Sequence, residues 1–174
     1  MSSPLDHIFI PVVILLLFSK KLKLNTRDVI ALSFFAVLPD IDGIFFGSNS
    51  IPLHRILFHN IFIVIIPLLF FILAKSKREV FGIICFYLTS HLILDLFTGG
   101  IFLFYPVYNN VFFANIELLL NHDSFIPVLE YGISNKIMNN GIGEPAISSE
   151  NVAFVILLII CAAISTIVIH RKTE

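Results

Sequence analysis

"ALSFFAVLPDIDGIFF", residues 31–46, is an apolar run that would pass for a membrane span but carries two carboxylates, Asp40 and Asp42, beside Pro39. An ionised group inside a span is costly and by default faces a protein interior and marks function. The rest of the chain shares this character. Of its 174 residues, 57% are hydrophobic and 13% charged, and the mean hydropathy is +0.97. Soluble domains carry about 25% charged residues, so the composition is that of an integral membrane protein whose first partner is the lipid bilayer. The net charge of -1 says nothing about partners, the distribution of charge says more, and no nucleic-acid partner is expected. Cys85 and Cys161 lie in separate apolar runs and form neither a CxxC pair nor a disulfide framework.

Five apolar segments can be drawn, at about 7–24, 28–46, 56–74, 80–98 and 152–170. The expected fold is therefore all-α: one membrane-embedded domain over residues 1–174, a helical bundle of about five transmembrane helices. A long outer segment, 99–151, separates spans four and five. Its "IFLFYPVY" and "NIELLL" suggest a re-entrant or interfacial helix, and its Asn/Gly-rich end suggests an exposed loop. Basic residues follow the first apolar run instead of preceding it, so that run is expected to stay as an anchor. Lys20, Lys21, Lys23 and Arg27 lie between spans one and two, Lys75, Lys77 and Arg78 between three and four, and Arg171 and Lys172 after five. Only Arg55 and Lys136 fall on the opposite side. Retention of positive charge in the cytoplasm then predicts an N-out/C-in, multi-pass protein of the plasma or inner membrane.

That topology carries His7, Asp40, Asp42, His54, Arg55, His59, His91 and Asp95 to one depth, just below the extracytoplasmic surface. So many ionisable groups at one level need a shared partner, and a cation suits them. His91 and Asp95 are four apart, which puts imidazole and carboxylate on one helical face. Asp40 and Asp42 flank a single residue at a helix end, where they can bridge two ions or divide into a ligand and a base. His54 and His59, five apart, converge only if His54 precedes the helix. A mixed His/carboxylate set selects zinc first, with manganese or iron as alternatives, as one or two ions. Asp6 reads equally well as a cap of span one. Asp28 and Glu79 are first-turn acids at helix N-termini, and His122 and His170 receive no role.

Taken in order, His7 before the first span, "LPDIDG", "HR" with a second His, and "SHLILD" resemble the YdjM-type family of small membrane-bound proteins described as metal-dependent hydrolases. The resemblance covers roughly residues 5–106. It implies a multi-span helical membrane protein with a metal site built from His7, Asp40, Asp42, His54, His59, His91 and Asp95. More distantly, the pattern is similar to the zinc-dependent phospholipase C and nuclease group, which cleaves phosphodiesters. Ile56 and Asn60 depart from the family's usual Gly and Ser/Thr, which bears most on His54. The expected function is a membrane-bound metal-dependent hydrolase acting on a phosphoester or lipid-like substrate at the outer leaflet. In it Asp42 accepts a proton, Arg55 holds a phosphate oxygen, and Ser90, Asn60 and Thr98 orient the imidazoles. The alternative is a non-catalytic binding or regulatory membrane protein with a structural metal or polar cluster. A transporter is disfavoured because the inner halves of the spans are apolar, and a PAP2-type phosphatase because its signatures are absent.

Overall fold

The computed structural model describes residues 4–41, 55–121, 124–137 and 156. The chain opens with helix α1 (Pro4–Leu22), which has Asp6 in its first turn and Lys20 and Lys21 in its last, the charge order that suits the helix dipole. Lys23 turns the chain with a positive φ of 56°. Helix α2 (Thr26–Ala31) then starts at Asn25, whose side chain accepts from the Arg27 amide, satisfying an otherwise orphaned donor. The Asn25 amide itself donates to Glu79, tying this corner to the start of a later, longer helix. Helix α4 (Arg78–Phe97) presents Ile83, Ile84, Tyr87, Leu88, His91, Leu92 and Asp95 inward, a stripe at helical spacing. Leu15, Val29, Ala36, Ile83 and Tyr87 form the core. At its centre the Tyr87 hydroxyl donates to the Val29 carbonyl at 2.6 Å.

The expectation of an all-α bundle of five transmembrane helices is overturned. Among the described residues, only the stretch Lys75–Phe97, which is α4 with the short 3-10 turn before it, is long and apolar enough to cross a membrane. The second expected span is not one helix. After α2 the backbone tightens into 3-10 turns at Leu32–Ala36 and Leu38–Asp40, with Val37 bonding back to Phe34 and Asp40 to Val37. Pro39 has no amide to continue an α-helical ladder. The third is broken at Asn60, whose side chain donates to the carbonyls of Ile56 and Leu57 and accepts from the Phe62 amide. It thereby closes one short turn and caps the next helix, α3 (Phe62–Leu73), which holds only 12 residues. At 1.5 Å per residue that is about 18 Å, well short of a hydrocarbon core of about 30 Å. The fifth expected span, 152–170, lies outside the described residues apart from Ile156.

The described part of the long segment after α4 is also not helical. Strands β1 (Val111–Asn121) and β2 (Ser124–Ser134) pair antiparallel from Val111↔Ser134 to Asn121↔Ser124. This ribbon is pinned to the end of α4 by a bridge between Ile101 and Phe112. Among the described residues the fold is thus mixed, helices plus one hairpin. The close approach at its base is possible because Gly100 has φ +88°. A Cβ there would lie 2.6 Å from the Val111 side chain and 2.7 Å from the Phe112 carbonyl.

Candidate metal centre

The broken second and third segments deliver side chains that continuous helices would have spread apart. Asp40 ends the second 3-10 turn, His59 sits in the bend before α3, and His91 and Asp95 occupy successive turns of α4. Their donor atoms lie within 4.8 Å of one another. His59 Nε2 is 3.3 Å from Asp40 Oδ1, 3.1 Å from Asp95 Oδ2 and 3.1 Å from His91 Nε2. His91 Nε2 lies 3.6 Å from Asp40 Oδ1 and 3.4 Å from Asp95 Oδ2. Donor atoms that share one divalent ion stand about 3–4 Å apart, and these five separations fall in that range.

Hydrogen bonds alone do not account for the arrangement. His91 Nδ1 faces the Ala36 carbonyl at 2.7 Å. Since a carbonyl only accepts, Nδ1 carries the hydrogen and a neutral His91 presents a bare Nε2 to the cluster. His59 Nε2 can carry one hydrogen at most, yet it faces His91 and both carboxylates. One hydrogen cannot serve three acceptors, whereas a single cation can. The imidazole-to-carbonyl bond is also the usual way a metal-ligating histidine is oriented. The described residues therefore fit a divalent ion held by Asp40, His59, His91 and Asp95.

His7 and Arg55 attend the other oxygen of Asp95. His7 Nε2 is 3.5 Å from Asp95 Oδ1, and its ring stacks on His91 with centroids 4.0 Å apart. Thr98 donates to the same oxygen at 3.3 Å. Arg55, only 1% exposed, donates to the Gly100 carbonyl at 2.8 Å and lies 3.6 Å from Asp95 Oδ1. Its second amino group reaches the Thr98 carbonyl at 3.5 Å, so the guanidinium caps the C-terminus of α4. Of the other groups expected to orient imidazoles, Ser90 donates to the Phe86 carbonyl and Asn60 caps α3. Asp42 and His54 lie outside the described residues.

Asp40 and His59 stand outside the 75–97 span and show the electrostatics of the metal-free centre. Burial pushes the Asp40 carboxyl up, but the hydrogen bond from His59 and the charges of His91 and His7 outweigh it and hold it below its ordinary value. Burial pulls His59 down, and its hydrogen bonds to Asp40 and Asp95 more than reverse this, raising it to about 9. A proton is retained where the carboxylates hold positive charge best. An ion binding there displaces it.

The sequence profile of the YdjM inner membrane protein family matches residues 1–173. The chain belongs to that family. No curated protein and no solved structure matches it. Membership covers the whole helical and hairpin region, well beyond the motifs between residues 5 and 106 that first carried the resemblance, and places the chain among inner-membrane proteins. Within this YdjM chain, the Ala36 carbonyl is the site group that side-chain motifs could not reveal. It is a main-chain oxygen, exposed to His91 only because the helix before it tightens into a 3-10 turn.

Proposed function

We propose that this chain is a membrane-bound metal-dependent hydrolase of phosphoester or lipid-like substrates. The observation that carries the reading is the asymmetry of the His/Asp cluster: His59, His91 and Asp95 are buried, while the Asp40 side chain keeps 21% of its surface exposed. A structural ion is enclosed by its ligands, whereas a catalytic one keeps an open side. An apolar groove of about 370 Å³, lined by Leu57, Phe58, Phe62, Tyr105 and Pro106 and by Asn60, the chain neighbour of His59, suits the apolar part of an amphiphile. Lys75, Lys77 and Arg78 mark the opposite end of the span from Asp95, which favours an extracytoplasmic site.

When bound, a divalent ion supplies Lewis acidity and activates water at neutral pH; zinc suits the donor set best. The protein's part is to hold His59, His91 and Asp95 rigidly in the interior, fix the His91 tautomer through the Ala36 carbonyl and leave the Asp40 side accessible to water. The water oxygen bonds to the phosphorus or acyl carbon, and the P–O or acyl C–O bond to the leaving group breaks. The water's proton passes to the Asp42 carboxylate, assigned from sequence, and the leaving oxygen takes a proton in return. The test is turnover of phosphomonoester, phosphodiester and phospholipid substrates by the ion-loaded protein. Asp42→Asn should keep the ion and lose turnover, and Asp95→Asn should lose both. An ion-loaded wild type that cleaves none of the panel would favour the alternative of a structural ion, which would tie the 3-10 turn, the bend at His59 and α4 together.

A further inference from the structure

The β-hairpin has two unlike faces. Register places Phe112 with Ile133, Ala114 with Tyr131 and Ile116 with Leu129 on one face, all of them apolar or aromatic. Ile116, Leu129, Tyr131 and Ile133 are 61%, 59%, 75% and 55% exposed. The other face carries Asn115 and Glu130 as a cross-strand pair, with Phe113 laid over Gly132 and the exposed Val128 on either side of them, and buries Val111 at its base. The apolar face continues into the body, because Phe112 packs edge-on against Phe104 and lies beside Tyr108. Both of these are themselves exposed, as are Ile93 and Phe97 at the end of α4. Among the described residues the ribbon has two strands, which is marginal in water, and no described element covers its apolar face, which needs an apolar phase to meet it.

We propose that this hairpin lies flat in the lipid–water interface, with the Phe112–Ile116 and Leu129–Ile133 face in the acyl boundary and Asn115 and Glu130 turned to water. Two observations choose lipid as the occupant. The ribbon leaves the body at the end of the Lys75–Phe97 span, pinned there through Ile101 and Phe112, so its apolar face joins the lipid-facing surface of an inner-membrane protein. Its depth follows from its edges. Each strand, at 11 residues, is about 36 Å long and could reach across the bilayer. Yet among the described residues neither outer edge is paired beyond the Ile101–Phe112 bridge, and hydrocarbon cannot satisfy open strand edges. Headgroups and water can, and exposed tyrosines such as Tyr108 and Tyr131 prefer that zone. The hairpin thereby flanks the metal centre at the membrane surface, a placement that stands whether or not the centre is catalytic.

The chain contains no tryptophan, so a single introduced indole reports on the hairpin alone. Leu129→Trp, Tyr131→Trp and, on the opposite face, Glu130→Trp would be made in the full chain and reconstituted in phosphatidylethanolamine/phosphatidylglycerol vesicles. Circular dichroism would confirm that each variant is folded. The expected result is blue-shifted emission from the first two, quenched more by lipid brominated near the carbonyl than near the chain end, and red, unquenched emission from Glu130→Trp. Solvent-like emission from all three would overturn the proposal. So would a blue shift without lipid quenching that fades as the protein is diluted in lipid, which would mean that a second copy covers the face.

Discussion

Arg55→Met removes a buried guanidinium whose contacts are internal: the Gly100 carbonyl at 2.8 Å, the Thr98 carbonyl at 3.5 Å and Asp95 Oδ1 at 3.6 Å. Truncating one partner of a buried ion pair costs about 3–5 kcal/mol, chiefly because the other charge is stranded. Asp95 keeps His7 and Thr98 on that same oxygen, which argues for the lower end. The two carbonyls at the end of α4 lose a charge-assisted donor, worth about 1.5–3 kcal/mol when it is not replaced. The sum should not exceed roughly 4 kcal/mol, since the contacts share one group and are not additive. The assay is reversible unfolding in mixed micelles, measured for Arg55→Met, Asp95→Asn and the double variant. The expected outcome is a loss of about 3–4 kcal/mol for Arg55→Met alone and about 1–2 kcal/mol less than that in the Asp95→Asn background. Arg55→Lys should recover little, because an ammonium cannot reproduce the fork. A loss below about 1 kcal/mol would refute the anchoring role and leave Arg55 available to a substrate phosphate.

Gly100→Ala should destabilise the chain by about 2–4 kcal/mol, since a side chain at φ +88° is strained and its Cβ would overlap Val111 and Phe112. Thermal melts of the detergent-solubilised variant check this, and the loosened Arg55 anchor should weaken ion affinity as well. The metal-free protein should also respond to pH. His59 is raised from 6.5 to about 9 in the folded chain. Its pairing therefore stabilises fully below pH 6.5 and is lost as pH rises through about 9. Asp40, held below 3.8, stabilises above that value and loses its contribution on acidification. The melting temperature of the metal-free protein should thus fall from pH 6.5 to 9. The ion-loaded protein should show no such decline, because the ion has replaced the proton on His59.

Much of the centre could be read from sequence because its chemistry conflicts with its surroundings. His91 and Asp95 four apart, and Asp40 behind a proline, stand out in an apolar chain, and the structure brings them together with His7 and His59. Hydropathy was a poorer guide to backbone path. It registers that residues 28–46 and 56–74 are apolar, but it cannot see the 3-10 tightening that turns Ala36 toward His91. Asn60 did carry a local signal, as a helix cap between two apolar stretches. The hairpin was hidden for another reason. The residues of "VFFANIELLLN" read as an interrupted apolar run, and only the pairing with 124–134 shows that Phe112, Ala114 and Ile116 form one face while Asn115 turns away. A two-residue period broken by neighbouring apolar residues does not distinguish strand from helix.

The central claim is that Asp40, His59, His91 and Asp95 hold a divalent ion, and the direct test is the metal content of the detergent-purified protein beside His91→Ala and Asp95→Ala. The account predicts stoichiometric zinc, manganese or iron in the wild type and its loss in both variants, with folding retained by circular dichroism. Well-folded wild-type protein that holds no ion, even after zinc, manganese and iron are added back, would contradict it and make the cluster a buried hydrogen-bond network.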